Sequence, residues 1–284
     1  MKIIEEMIRS KNPTSINEAK QIIRELIQQI ILVGLSRSGF FNYASFYGGT
    51  ALRIFYDLSR YSEDLDFTLN EVNPNFSITP FIAQIKQVAT SYGLNLDIST
   101  KEKRSETPIE SAFAKASTYQ TFINAHVDGN LIKSLHKDEL IKVKFEIDCQ
   151  PALGFNIESK WLDNPEFANV AVLDCPSLFA DKIHAILCRN YKNTVKGRDY
   201  YDFLFYCKKG IKPNLVYLRN KLIDSHKINE KDIFNIELVK KMLKEKIADV
   251  NFNQIKEDAS KFVLLKEDLS YYCKDLFFQM IDKL

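Results

Sequence analysis

Apolar residues recur at helical spacing between Thr14 and Arg37, at Ile22, Ile23, Leu26, Ile30, Val33 and Leu35, and this pattern predicts one long helix. Ser15-Ile16-Asn17-Glu18 in front of it is a capping-box sequence, and Gly39 supplies the stop. The ordinary role of such a helix is to pack behind a sheet. The period then changes. Tyr43 to Tyr47 is an apolar, aromatic, strand-like run that breaks at Gly48-Gly49. A short amphipathic helix follows, with Ala51, Leu52 and Phe55 inward, and then a polar turn holding Ser62 and Glu63. Beyond the turn, Asp64-Leu65-Asp66-Phe67-Thr68-Leu69 alternates with period two, so Leu65, Phe67 and Leu69 take one face and Asp64, Asp66 and Thr68 the other.

The alternation of periods continues. A loop with Pro74 and Pro80 spans Glu71 to Pro80, a helix spans Phe81 to Tyr92 with Gly93 closing it, and Leu94 to Ile98 reads as a strand. Thr100 to Glu110 is charged and irregular. Lys101, Lys103 and Arg104 there suit a solvated loop, with contact to RNA phosphates as the functional alternative. Ala112 to Asn124 holds a further strand, placed at a sheet edge. Ile141 to Asp148 alternates almost ideally, with Ile141, Val143, Phe145 and Ile147 inward, and Pro151 stops it. Trp161 to Asn169 reads as loop and Val170 to Leu173 as a short strand. Asp174 or Cys175 caps a helix starting at Pro176, whose buried stripe is Phe179, Ile183, Ile186 and Leu187. Lys196-Gly197-Arg198-Asp199 opens the next helix, which Gly210 ends. After Asn214 only amphipathic, Lys/Glu-rich helices are read, at Leu215–Leu222, Asp232–Glu245, Phe252–Val263 and Leu269–Leu284. The expected class is therefore α/β (α+β). A mixed sheet flanked by helices occupies residues 1–174, and a helical domain at 175–284 forms the second wall of a cleft.

Composition changes this picture little. With 284 residues, 45% of them hydrophobic, the chain can bury an ample core. The net charge of +2 neither favours nor opposes nucleic acid, because a local patch binds phosphates whatever the total. Five cysteines without a CxxC pair point to neither a disulfide framework nor a zinc site. MKIIEEMIRS lacks the apolar core of a signal peptide, and no apolar run reaches the length of about 18 residues that a membrane span requires. A cytoplasmic protein without membrane contact is expected.

Candidate chemistry concentrates between Phe46 and Leu69. Two residues apart on a strand, the Asp64 and Asp66 Cα atoms lie roughly 6.5 Å from each other, close enough for both carboxylates to converge on one magnesium ion or a pair. Upstream, Gly48-Gly49 presents bare backbone N–H groups at a helix start, which suits phosphate. Taken singly, the glycines are an ordinary turn and the aspartates an ordinary solvated strand face. Together they are what metal-assisted phosphoryl or nucleotidyl transfer needs. Further on, Lys182 borders an apolar stripe, where it either snorkels or reaches a phosphate. Asp199 and Asp202 share a helix face, Asp199 is favoured in the first turn by the helix dipole, and Arg198 can reach Asp202 four residues on. A purely structural ion-pair cluster is the competing explanation.

Gly-Gly-Thr, a helix, then Asp-x-Asp on the next strand resembles the signature of the polymerase-beta-type nucleotidyltransferase superfamily. The blocks YGGTALRIFYDLSRYSEDLDF, KVKFEIDCQPALGF, PSLFADKIHAILCR and KGRDYYDF resemble, in order and spacing, the AbiEii/AbiGii abortive-infection toxins over about Phe46 to Gly210. Where that family often has Gly-Ser in its first motif, this chain has Gly49-Thr50, which keeps the hydroxyl. The resemblance implies an NTP substrate held by Gly48, Gly49, Thr50 and Ser62, with Mg²⁺ on Asp64 and Asp66. It implies a third carboxylate on a neighbouring strand, Asp148 or alternatively Glu146, since parity admits both. Lys182 would meet a phosphate, and Asp202 with Arg198 and Asp199 would fix the Lys182 region or the nucleotide. The implied reaction is nucleotide transfer by a toxin to an RNA acceptor, the tRNA 3′ end, with an antitoxin encoded nearby. Transfer to a protein or small-molecule hydroxyl, and a binding module without turnover, are the alternatives.

Overall fold

The computed structural model describes residues 2–100, 108–118, 121, 136, 138–189, 195–263 and 269–284. The chain divides into two units, one of residues 1–51, 62–151 and 159–172 and the other of 52–61, 152–158 and 173–284.

In the first unit, helix α1 (Lys2–Lys11), which the periodicity does not reveal, precedes the long helix α2 (Ile16–Arg37). Ser15 caps α2 by accepting from the Glu18 N–H at 3.2 Å, and the Glu18 carboxylate reaches back to the Thr14 N–H at 2.8 Å and its hydroxyl at 3.0 Å. The helix therefore starts two residues later than the periodicity alone suggests. Ile23, Ile27, Ile30, Ile31 and Leu32 are all buried, more than one stripe of the helix, as expected of an element inside the core. It packs on α4 (Thr79–Ser91) and on the sheet at β5 (Leu140–Asp148). A Cβ at Gly34 would come within 2.6 Å of the Ile85 Cα, so glycine there permits the close approach of α2 and α4. Pro80 lies in the first turn of α4 rather than in the preceding loop, a position where its missing N–H costs nothing.

The remaining strands are β1 (Ala44–Tyr47), β2 (Leu65–Leu69), β3 (Asp97–Thr100), β4 (Ile109–Ser117), β6 (Ile157–Leu162) and β7 (Ala168–Leu173). Helix α3 (Gly48–Phe55) joins β1 to the β2 approach. Among the described residues the sheet has seven strands in the order β3-β4-β5-β2-β1-β7-β6. It is mixed, with β2–β5 and β1–β7 parallel and β1–β2, β3–β4 and β4–β5 antiparallel. The expected class, a mixed sheet flanked by helices, is thus borne out.

Three strand expectations are corrected. The strand expected at the sheet edge is β4, which pairs on both sides, and β3 is the edge; residues 122–124 lie outside those described. Leu94, Leu96 and Ile98 are buried in alternation as read, but ladder pairing begins only at Asp97. The stretch expected as loop from Trp161 contains the end of β6 and the start of β7. On the edge strand β6, Ile157 and Trp161 stay exposed, so burial leaves little trace in its sequence. The basic residues Lys101, Lys103 and Arg104 fall outside the described residues. An aromatic cluster of Phe40, Phe67, Phe76 and Phe81 fills this core, with Phe40 edge-on to Phe67 at 5.0 Å.

The second unit contains helices α5 (Cys175–Cys188), α6 (Gly197–Lys208), α7 (Leu215–Asp224), α8 (Ile236–Ala248), α9 (Phe252–Ser260) and α10 (Lys274–Asp282). Asp174 caps α5, accepting from the Ser177 N–H at 2.9 Å, and Phe179, Ile183, Ile186 and Leu187 are its buried stripe. Asn235 and Cys273 occupy the N-cap positions of α8 and α10, so both helices start later than Asp232 and Leu269. Phe179, Phe203, Tyr206 and Phe277 form the aromatic core of this unit.

Candidate active site

In the first unit the sheet register assembles the carboxylates. Asp66 stands between Tyr47 of antiparallel β1 and Glu146 of parallel β5. Thr68 is next to Asp148, so the two candidates for a third carboxylate, equal in parity, differ in position: Glu146 is alongside Asp66, and Asp148 lies two residues further along. The Asp148 Oδ1 accepts from the Gln150 N–H at 3.0 Å, closing the strand end, whereas Glu146 accepts from the Lys144 ammonium. Burial rises from exposed Asp64, which precedes β2 although expected as its first residue, through half-buried Asp66 to buried Thr68.

Gly48 serves this arrangement through its backbone. It has φ +79°, and a Cβ built on it would lie 2.4 Å from the Asp66 Oδ2. Glycine is therefore required twice, for the left-handed conformation and for the space the carboxylate occupies. Thr50 is fully buried, and its hydroxyl donates to the Asp64 carbonyl, tying the start of α3 to the start of β2. That use differs from the triphosphate contact expected of the side chain. The Ser62 carbonyl accepts from the Gln28 side-chain amide at 3.0 Å, which fixes the turn before Asp64. Gly49 sits half-buried in the first turn of α3.

These groups suit a divalent cation in kind. Asp64, just before β2, and Asp66, within it, are hard oxygen donors, their backbone and side chain held by the Thr50 hydrogen bond and by Gly48 respectively. Among the described residues no three His, Cys, Asp or Glu side chains are grouped closely enough to hold a metal ion. Magnesium matches such a set, since it is commonly held by one or two carboxylates with substrate phosphates supplying further oxygens.

The second unit contains the other candidates, and here one partner differs from expectation. Lys182 places its ammonium 2.8 Å from the Asp199 Oδ1 and 3.0 Å from the Asp202 Oδ2. Among the described residues these carboxylates take two of its three N–H donors. Asp202 is paired with Arg60, whose Nε and Nη2 donate to its two oxygens at 2.6 Å each. Arg198, expected to reach Asp202, instead lies over the Phe262 ring at 4.0 Å. Arg189 pairs with Asp199 at the outer end of the cluster, its side chain 43% exposed against 12% for Lys182. Burial favours the neutral acid of Asp199, but Lys182 and Arg189 outweigh it and hold the carboxyl well below the usual carboxylate range. Burial likewise disfavours the Lys182 ammonium, and Asp199 and Asp202 more than compensate, raising its pKa. Arg60 escapes the sequence reading, where it is one cation in a turn. Its only signal is its place four residues before Asp64.

The fold is like that of JHP933 from Helicobacter pylori, with 18% identity and a TM-score of 0.53 over 92% of this chain and 90% of that one. It is also like MenT4, a nucleotidyltransferase toxin from Mycobacterium tuberculosis H37Rv, with 13% identity and a TM-score of 0.51 over 100% of this chain and 89% of that one. At these identities the likeness is one of fold. The sequence model of the nucleotidyl transferase AbiEii toxins, type IV toxin–antitoxin systems, matches residues 30–272. The chain belongs to the AbiEii family and is a nucleotidyltransferase toxin. No curated protein matches it. No helix among the described residues is long and apolar enough to cross a membrane.

Proposed function

We propose that the protein is a Mg²⁺-dependent toxin, acting in the cytoplasm, that transfers a nucleotide from an NTP to an RNA acceptor, the 3′ end of tRNA. The observation that carries the reading is the packing of the Asp66 carboxylate against Gly48, with Asp64 just before the strand and Glu146 alongside. Asp64 and Asp66 would hold Mg²⁺, and Glu146 rather than Asp148 is the third carboxylate. A bound magnesium ion neutralises charge on the phosphates. The acceptor hydroxyl forms a P–O bond at the α-phosphorus as the bond to the β-phosphate breaks, and pyrophosphate leaves. The hydroxyl proton passes to a carboxylate on this face. Backbone N–H groups at Gly49 and Thr50 would bind the phosphates, and kinship with the family supports a phosphate role for Lys182. Kinship with the family supports the tRNA acceptor and an antitoxin as regulator.

The test incubates purified protein and Asp64→Ala with total tRNA, Mg²⁺ and each α-labelled NTP, followed by a denaturing gel. Label entering tRNA from one NTP is expected. The mutant should lose on the order of 10³-fold in rate, the several kcal/mol of charge stabilisation that a bound metal supplies. Undiminished transfer by Asp64→Ala would overturn the metal assignment. Label entering protein or a small molecule instead of RNA would replace the acceptor.

A further inference from the structure

Arg60 lies inside the first of the blocks that resemble the family but is given no role by that resemblance, yet it is among the most constrained residues of the second unit. It is 2% exposed. Besides its two bonds to Asp202, its Nη1 donates to the Tyr61 carbonyl at 2.8 Å. Its backbone bridges Val263, the next N–H, of Tyr61, donates to the Phe262 carbonyl at 2.8 Å, and Tyr201 donates its hydroxyl to the Ser59 carbonyl at 3.3 Å. The fork of Arg60 is thus held at its root as well as its tip.

Neutralising Asp202 does not require this arrangement, because Lys182 already stands 3.0 Å from it. What the bidentate contact adds is geometry and charge. A planar guanidinium fixes the carboxylate plane, and with it Oδ2, the oxygen that Asp202 shares with Lys182. The flexible lysine stem thereby ends in an ammonium with two fixed acceptors. Arg60 and Lys182 both bear on Asp202, so loss of Arg60 removes one positive charge from beside the Lys182 ammonium. With that charge gone, the attraction of a triphosphate approaching Lys182 is weaker.

We propose that Arg60 is a positioning residue for nucleotidyl transfer: through Asp202 it fixes the Lys182 ammonium, and it adds its own positive charge beside it. The inference rests on the reading of Lys182 as a phosphate ligand.

The test measures kcat and KM for the NTP, nucleotide affinity and thermal melting for wild type, Arg60→Gln, Arg60→Lys, Lys182→Met and the Arg60→Gln/Lys182→Met double variant. Arg60→Gln should raise KM at least about tenfold and lower kcat/KM about 100-fold, well beyond what a change in folded fraction explains. Arg60→Lys restores charge without the fork and should recover part of the loss. On the Lys182→Met background, removing Arg60 should change nucleotide affinity by less than about twofold, since residues acting as one unit are not additive. If Arg60→Gln fails to melt cooperatively, Arg60→Lys is held to the same criteria with a loss of at least about fivefold in kcat/KM. A melting point lowered with kcat and KM unchanged would overturn the proposal, and so would an undiminished effect in the double variant. Lys182→Met equal to wild type would remove the phosphate role and the inference with it. A wild-type protein inactive with every NTP would overturn the function itself, whereas an active one insensitive to Arg60→Lys and Arg60→Gln would overturn Arg60 alone.

Discussion

Gly48 shows how one missing atom shapes the carboxylate face. Alanine there would have to hold φ +79° and place its Cβ within 2.4 Å of the Asp66 oxygen. The backbone strain alone costs about 1–3 kcal/mol, and the nearest relief is to push the carboxylate aside. Gly48→Ala is therefore expected to fold with a lowered denaturation midpoint and to lose about 100-fold or more in transfer rate, since an ångström of misplacement has that effect. Chemical denaturation and the labelling assay check the two parts separately. Thr50 illustrates the opposite situation. Its side chain is spent within the fold on the Asp64 carbonyl, so a hydroxyl that looks like a ligand in the sequence acts by holding the strand that bears Asp64.

At the level of elements, the parallel pairing of β2 with β5 decides which acid stands beside the aspartates. Because Asp66 faces Glu146 and Thr68 faces Asp148, the two acids differ by a full two-residue step, about 6.6 Å along the strand. Glu146→Gln is expected to lower kcat by about 10–100-fold, in the range of general-base or metal-ligand loss, while Asp148→Asn stays within about threefold of wild type. Steady-state rates at saturating NTP decide between them, and the reverse ranking would return the role to Asp148. Helix α5 is positioned by an equally local device, its Asp174 cap, which starts it so that Lys182 falls at the border of the buried stripe. Alternation in β5, the capping boxes and the glycine stops are short-range signals, and they are legible in the sequence. Ladder register is not, because a strand with both neighbours unknown has no reference for its position.

For the whole molecule, buried charge predicts how stability responds to pH. Burial pushes the His184 pKa down from 6.5 to about 4, helped by Lys221. The unfolded chain then takes up a proton between these values that the folded chain refuses. Stability is accordingly complete above about pH 6.5 and falls as pH drops toward 4, by at most about 3 kcal/mol from this group. Asp199, held low by Lys182 and Arg189 against the opposing effect of burial, contributes stability above the ordinary aspartate pKa and loses it at more acidic pH. Urea midpoints of wild type and His184→Gln between pH 4 and 7.5 check the first window. The variant should flatten the slope above pH 4.5 and leave the acidic loss in place.

By itself the sequence determined the class of fold and the family, because hydrophobic period, caps and glycine positions act over a few residues and survive in one dimension. Lys182, Asp199 and Asp202 were also readable as a cluster, since helical spacing puts the two acids on one face. Only tertiary structure decided their partners. It brought Arg60, 142 residues away in sequence, onto both oxygens of Asp202 in place of Arg198, and it set Glu146 beside Asp66. The physical reason is the same for both. A charge shows its type in a sequence, but its counter-charge is chosen by whichever segments the buried core draws together.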